Sequence, residues 1–339
     1  MPNKKTNYII GISIGDPGGI GPEIVLKSSS FLTNYKNSIP VIIGDKKVIE
    51  KNCKTLKIFP SINFIKNWQD VKKYHLNIFS PNIIKKNYPI GENSKICGYA
   101  SFIYVKKAVE FWKEKKIDAL VTLPISKKAW YMAGEKYSGH TELLGALLGQ
   151  KQTVMIMIAK NIRTLLVTTH IPLNQVSKTL TSELIIKKTI VGYNFLLDFG
   201  IKKTVIGISS FNPHAGEEGI LGEEEKKIIL PAISYLNKKG INCIGPIPAD
   251  IIFKKALKNE IDMIVNMYHD QALIPLKTFY FEKLINFTAG IPMIRTSPGH
   301  GTGFDIAYKN KANPSSFIEA YKFALKMLKN NKFSGKPGS

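Results

Sequence analysis

"IDMIVNMYHDQALIPLK", residues 261–277, begins as an apolar run of strand composition over 261–266 and stops at His269 and Asp270, with Lys277 further on. The same design occurs twice more. "RTLLVTTHIPL" (163–173) arrives at His170, and "TVIGISSFNPHAGEEG" (204–219) arrives at His214. Working outward, further apolar runs at 8–14, 39–44, 118–123 and 292–295 alternate with amphipathic stretches, which predicts an α/β protein with mostly parallel strands. "GYASFIYVKKAVEFWKEKK" (98–116) sets Ala100, Ile103, Tyr104, Ala108, Phe111 and Trp112 at helical spacing and ends in lysines suited to a helix C-terminus. "EEEKKIILPAISYLNKKG" (223–240) starts acidic and ends basic before Gly240, matching helix start and stop signals.

In an open parallel sheet the carboxyl ends of the strands form the crevice where ligands bind, so neighbouring strand ends can gather His170, His214 and His269. Three neutral imidazoles with an open coordination position form a catalytic metal site. The bland alternative is that each histidine caps its own turn, because separations of 44 and 55 residues carry no local ligand signature. Asp250 in "GPIPADIIF" and Asp270 can orient a ligand or accept a proton. His75 lies in a lysine-rich segment with no strand before it and reads as a surface residue.

At 339 residues the chain exceeds the usual single core, and one large α/β unit or two lobes is expected. The formal charge of +23 suggests nucleic acid at first, yet only Arg163 and Arg295 of the 48 basic residues are arginine. The lysines are spread, with no Arg/Lys stripe interleaved with aromatics, so no nucleic-acid partner is expected. Positive potential does steer anionic substrates. Cys53, Cys97 and Cys243 form no CxxC pair, which fits a reducing, cytoplasmic setting without zinc knuckles. The opening "MPNKKTNYIIGISIGDPGG" breaks at Asp16-Pro17 and reads as a first strand, and no run of about 18 apolar residues predicts a membrane span.

"GDPGGIGPE" (15–23) fails both phosphate-loop templates, and Gly18, Gly19 and Gly21 with Pro22 read as a sharp strand-to-helix turn. "SGHTELL" (138–144) places Ser138, His140 and Thr141 at a helix start, as cap or as anion donors. Arg295 ends a strand candidate. Its planar fork suits a carboxylate or phosphate, and equally a buried ion pair.

Taken in order, "GDPGGIGPE", "SGHTELL", "TTHIPL", "NPHAGE", "MYHDQALIPLK" and "RTSPGHGTGFDIA" resemble the 4-hydroxythreonine-4-phosphate dehydrogenase family of pyridoxal phosphate biosynthesis, over about residues 8–325. "HGTGFDIAYKNKANP" is similar to a dinucleotide-holding loop of isocitrate and isopropylmalate dehydrogenases. The resemblance implies a two-lobed fold of that type, with a cleft between lobes. By analogy, 1–127 with 285–339 make the first lobe, and 128–284 make the second with the metal ligands and dimer interface.

It further implies His170, His214 and His269 as ligands of one divalent ion (Zn, Mg, Co or Mn). His140, Thr141, Lys277, Asn286 and Arg295 are implied as substrate residues. His300, Gly301 and Asp305 fall in the cofactor loop, with Asp250 and Asp270 as candidate catalytic carboxylates. The implied enzyme is a homodimer with shared active sites. It oxidises 4-phosphooxy-threonine at C3 with NAD or NADP and decarboxylates the product. The lysine-rich "AYKNKANP" leaves NAD against NADP open. A sister group acts on phosphothreonate or phosphoerythronate, and phosphotransacetylases, which need no three-histidine site, share a similar fold.

Overall fold

Alternation of apolar strands with amphipathic helices is what the computed structural model contains; it describes residues 7–330. Residues 1–6 and 331–339 lie outside the described residues. The chain divides into two compact units, residues 7–150 with 291–330 and residues 151–290. The segment 128–150, expected in the second lobe, falls in the first unit. Its helices Lys127–Met132 and His140–Leu147 pack on the helix Lys95–Lys113.

In the first unit the strands are β1 (Tyr8–Ser13), β2 (Ser38–Ile43), β3 (Ile62–Ile65), β4 (Leu76–Phe79) and β5 (Ala119–Thr122), joined by a strand from the chain's later part, Ile294–Pro298. Their order is β3-β4-β2-β1-β5 and then Ile294–Pro298, and every pairing is parallel. Such sheets are covered on both faces, which is why Ile10, Ile12, Val41, Ile42, Leu120 and Val121 are all fully buried. The helix Lys95–Lys113 begins where Ser94 Oγ accepts from Cys97 N at 3.3 Å. It buries Ala100, Tyr104, Ala108 and Phe111 as expected, and leaves Ile103 and Trp112 half-buried at the margin of the face.

The "GDPGGIGPE" segment is the sharp strand-to-helix turn its glycines and proline predict. A Cβ on Gly21 would sit 2.0 Å from the Ile14 carbonyl oxygen, so only glycine lets the helix Gly21–Lys27 start this close to the strand. Asp16 is fully buried within it; Oδ1 accepts from Gly18 N at 2.9 Å, and Oδ2 is buried without a hydrogen-bond partner. Burial raises this carboxyl to about 6.

The folded state therefore holds the Asp16 proton more tightly than the unfolded chain does. The stability this contributes is full below about pH 4 and is lost as pH rises through about 6. Asp16→Asn keeps the acceptor for Gly18 and removes the charge. The variant is expected to match the parent near pH 4 and to exceed it by about 2–3 kcal/mol above pH 7 in pH-dependent thermal denaturation. Parallel pH profiles for the two proteins would contradict this.

In the second unit the strands are β6 (Val154–Ala159), β7 (Ile162–Leu166), β8 (Ile206–Ser209), β9 (Cys243–Ile247), β10 (Met263–Asn266) and β11 (Ile285–Ala289), which makes Ile294–Pro298 β12. The order is β11-β6-β7-β10-β8-β9. β11–β6 and β6–β7 are antiparallel, and β7–β10, β10–β8 and β8–β9 are parallel. Met157, Ile162, Leu166, Ile252, Ile264 and Leu276 belong to the core beneath this sheet, each large aliphatic contributing about 2 kcal/mol by burial. Because β7, β10 and β8 run the same way side by side, their carboxyl ends share one edge of the sheet.

Candidate active site

That edge carries the three strand-end histidines. His170 follows the end of β7, His269 the end of β10, and His214 the end of β8. The rings of His170 and His269 approach to 5.6 Å between centroids, tilted by 45°. His269 opens the helix His269–Tyr280, and its Nδ1 lies 2.6 Å from Asp270 Oδ1. A carboxylate only accepts, so Nδ1 carries the proton and Nε2 keeps its lone pair for another partner. Thr169, His170, Val176, Tyr268, His269 and Asp270 line a hollow of about 240 Å³.

His214 is exposed and does not complete a triad. Among the described residues no group of three or more His, Cys, Asp or Glu side chains is set to hold a metal ion. β8 lies beside β10 and two positions from β7, about 10 Å across the sheet, and His214 sits in the Pro213–Gly219 turn beyond the strand end. His214 also opens an unusual turn. His214, Ala215, Gly216, Glu217 and Glu218 all take left-handed backbone angles, with φ of 52°, 55°, 76°, 42° and 56°. For the four non-glycine residues this costs about 1–2 kcal/mol each. The Glu225 carboxylate, 3% exposed, braces the segment by accepting from Phe211 N, Asn212 N and Asn212 Nδ2, each at 2.8 Å.

The remaining candidates of the second unit are spread around this edge. Asp250 is exposed at the start of the helix Ala249–Leu257, just past the end of β9. Asp270 is taken up by His269. Lys277 is exposed on the same helix as His269, about 12 Å along the axis at 1.5 Å per residue. Asn286 sits in β11 opposite Met157, and its Oδ1 is buried without a hydrogen-bond partner.

In the first unit, His140 opens the helix His140–Leu147, beside Thr141. Its ring stands edge-on to Trp130 at 5.7 Å, and its Nε2 is buried without a hydrogen-bond partner. Burial, and then the nearby Arg295 charge, hold this imidazole well below its ordinary range, so it is neutral. Arg295, 2% exposed in β12, donates from Nε and Nη2 to Thr122 Oγ1 at 3.0 and 2.6 Å. Burial pulls its guanidinium down to about 9, with Glu142 pulling the other way.

His300 Nδ1 lies 3.0 Å from the Gly301 carbonyl oxygen, its Nε2 is buried without a hydrogen-bond partner, and burial lowers its basicity. Gly301 and Asp305 are exposed beside it. The sequence did not reveal what fixes this loop. The "GDPGG" turn and its helix do so: Ile20 N donates to Thr302 O, Glu23 Oε1 accepts from Ala312 N, and Tyr308 OH donates to Pro17 O. Glu23 is thus a support for the candidate cofactor loop, while Asp16 braces the turn itself through Gly18 N.

Parallel α/β units with imidazoles at adjoining strand ends and a buried arginine beside a helix N-terminus define an enzyme scaffold suited to small anionic substrates. The chain belongs to the family described as pyridoxal phosphate biosynthetic protein PdxA, which matches residues 36–324, and it is an oxidoreductase. A 4-hydroxythreonine-4-phosphate dehydrogenase of Sulfurihydrogenibium sp. is 44% identical over 93% of this chain and 97% of its own. An Oceanobacillus iheyensis protein provisionally named D-threonate 4-phosphate dehydrogenase is 38% identical over 94% of this chain and 97% of its own. The crystal structure of 4-hydroxythreonine-4-phosphate dehydrogenase from Klebsiella pneumoniae superposes with a TM-score of 0.86 at 32% identity, covering 96% of this chain and 99% of that one.

Proposed function

We propose that the chain oxidises 4-phosphooxy-L-threonine at its C3 hydroxyl with NAD or NADP, and that the 3-oxo acid then loses carbon dioxide to give 3-amino-2-oxopropyl phosphate. The observation that carries the reading is the His170–His269 pair at adjoining strand ends, with Asp270 fixing the proton of His269. A neutral imidazole donor set of this kind fits a divalent ion of the zinc, cobalt, manganese or magnesium class, the first two best. When bound, the ion supplies Lewis-acid polarisation of a substrate oxygen and the nicotinamide accepts hydride.

The chain's own part is binding and proton control. In the first unit Arg295 and the backbone donors at the His140 helix start offer a cation and N–H groups to phosphate or carboxylate. Neutral His140 can donate or accept a hydrogen bond without adding charge. The assembly proposed is a homodimer with shared sites, in which a second copy completes the ligand set that one chain leaves at two. Exposed apolar side chains of the second unit, Leu173 at 70%, Ile220 at 80%, Ile274 at 64% and Phe279 at 76%, support a face that a second copy covers. Free, buried Cys53, Cys97 and Cys243 are compatible with a cytoplasmic setting. Among the described residues no helix is long and apolar enough to cross a membrane.

A second reading, oxidation of phosphorylated four-carbon sugar acids, is favoured by the 38% identity to the Oceanobacillus protein. The test follows reduced-nicotinamide absorbance with 4-phosphooxy-threonine, phosphothreonate and phosphoerythronate, before and after metal stripping. The expected result is kcat/KM at least about tenfold higher for 4-phosphooxy-threonine, lost on stripping and restored by the ion. Preference for phosphothreonate would move the chain to the second reading, and chelator-resistant turnover would remove the metal from the first.

A further inference from the structure

The three histidine loops are tied to one another by buried side chains that belong to none of the expected ligand, substrate or cofactor sets. Gln271, 8% exposed and two residues past His269, is the hub. Its Oε1 accepts from Met267 N at 2.8 Å, within its own loop, and its Nε2 donates to the Ser210 carbonyl oxygen at 2.7 Å, in the loop that carries His214. Thr168, 5% exposed and two residues before His170, closes the other side. Its Oγ1 donates to the Met267 carbonyl oxygen at 2.7 Å, and its N–H reaches the same oxygen at 3.1 Å.

From Ser210 the chain of bonds continues: Ser210 Oγ donates to Asn212 O at 3.0 Å, and Asn212 is gripped by Glu225. Glu225 also packs under the left-handed turn, where a Cβ on Gly216 would lie 2.7 Å from Glu225 Oε2. Every link is buried or half-buried, and the Gln271–Ser210 and Thr168–Met267 bonds each join a side chain of one loop to a backbone group of another, a geometry that sets relative position as well as local shape.

The geometry points to Gln271, with Thr168 and Glu225, as positioning residues that hold the strand-end loops of His170 and His269 in register for a divalent ion, with the His214 loop braced beside them. The inference rests on the metal reading given above. It adds that ion affinity is set by a clamp among the loops and not by the imidazoles alone, because partners behind the ligands fix ring placement before the ion arrives. Gln271 suits the hub since its amide both accepts and donates in one plane, which neither glutamate nor a hydroxyl reproduces at that reach.

The test titrates Co²⁺ alone into the metal-stripped full-length protein in its native assembly. It reads dissociation constants by chelator competition, and the visible absorption of bound Co²⁺ as a reporter of ligand geometry. Gln271→Met keeps volume and loses both bonds. It is expected to weaken Co²⁺ binding about 10- to 100-fold and to alter the absorption bands. Thr168→Val, which removes one hydroxyl, is expected to weaken binding in the same sense and serves if Gln271→Met does not fold. Asn237→Ala is the control. It breaks the bonds from Asn237 to both the N–H and the carbonyl of Cys243 at the amino end of β9, the edge of the sheet opposite the strand-end loops, and is expected to lower thermal stability with Co²⁺ affinity and spectrum unchanged.

Wild-type Co²⁺ affinity and spectrum in Gln271→Met or Thr168→Val, with binding lost in His170→Ala, overturn the clamp and leave the metal reading standing. Absence of stoichiometric Co²⁺ binding by the parent protein, or full binding by His170→Ala, overturns the metal reading and the clamp with it.

Discussion

His269→Ala is expected to remove bound metal and at least about a thousandfold of kcat/KM together, while the fold survives. The size follows from what the residue is asked to do. Of the two imidazoles that meet at the edge of the second unit, His269 has its Nδ1 engaged by Asp270, which in the neutral ring leaves the Nε2 lone pair for an ion. Losing one of few ligands forfeits most of an ion's affinity, and with it the polarisation of the reacting oxygen. Survival of the fold follows from exposure. The His269 side chain is 33% accessible and its bonded partner Asp270 is 70% accessible, so the change opens no core cavity, and stability should move by no more than about 0.5 kcal/mol. Elemental analysis, steady-state kinetics and thermal denaturation of the variant check the three parts. Full metal occupancy in the variant would refute the ligand assignment, whatever the activity. Asp270→Asn offers a finer measure: an amide oxygen still accepts from Nδ1, so the loss should stay near tenfold.

How far the sequence could be read depended on whether the deciding contact was local. The strands ending at His170, His214 and His269 were legible because an apolar run and its polar stop are neighbours in the chain. β6 was not, since "VMIMIA" is an unbroken apolar run without strand alternation or a flanking Gly or Pro, and such runs do not separate strand from buried helix. Its antiparallel pairing with β7 and β11 was hidden for the same reason. β3 and β4 are four-residue strands, too short for periodicity to register. At the site, candidate ligands could be named from residue type and position, but Gln271 could not be singled out. Its importance rests on a bond to Ser210, 61 residues away, and nothing in "HDQALIPLK" announces it. Asp16 and Glu23 were likewise read as parts of a turn. Glu23's task of supporting the 300–312 loop, through Ala312 N, joins opposite ends of the chain. The left-handed turn after His214 is the clearest limit, since "HAGEE" offers two glutamates and an alanine where glycine is the usual occupant of such angles.

Arg295→Lys is the second change with a large expected effect, and it falls on substrate binding. The guanidinium is buried in β12, anchored to Thr122 through Nε and Nη2, and desolvation outweighs the help of Glu142, so its affinity for a proton falls to about 9. A cation held below its ordinary range is one that an arriving anion relieves, and the relief is available to phosphate or carboxylate binding. Lysine keeps the nominal charge, but it loses the planar fork and cannot bond Thr122 and an anion in the same arrangement. It also starts from a lower intrinsic pKa, near 10.4, so the same burial would bring it toward neutrality at physiological pH. KM for the anionic substrate should therefore rise about 10- to 100-fold with kcat less affected. The sign of the pH response is fixed. Deprotonation removes the cation, so binding by the lysine variant should weaken as pH rises through the neutral range, whereas the parent, whose guanidinium stays protonated, should hold its binding across the same range. A variant whose thermal midpoint drops while KM and its pH profile stay those of the parent would place Arg295 in the framework of the sheet, holding Thr122 and β5, and leave the anion to other groups.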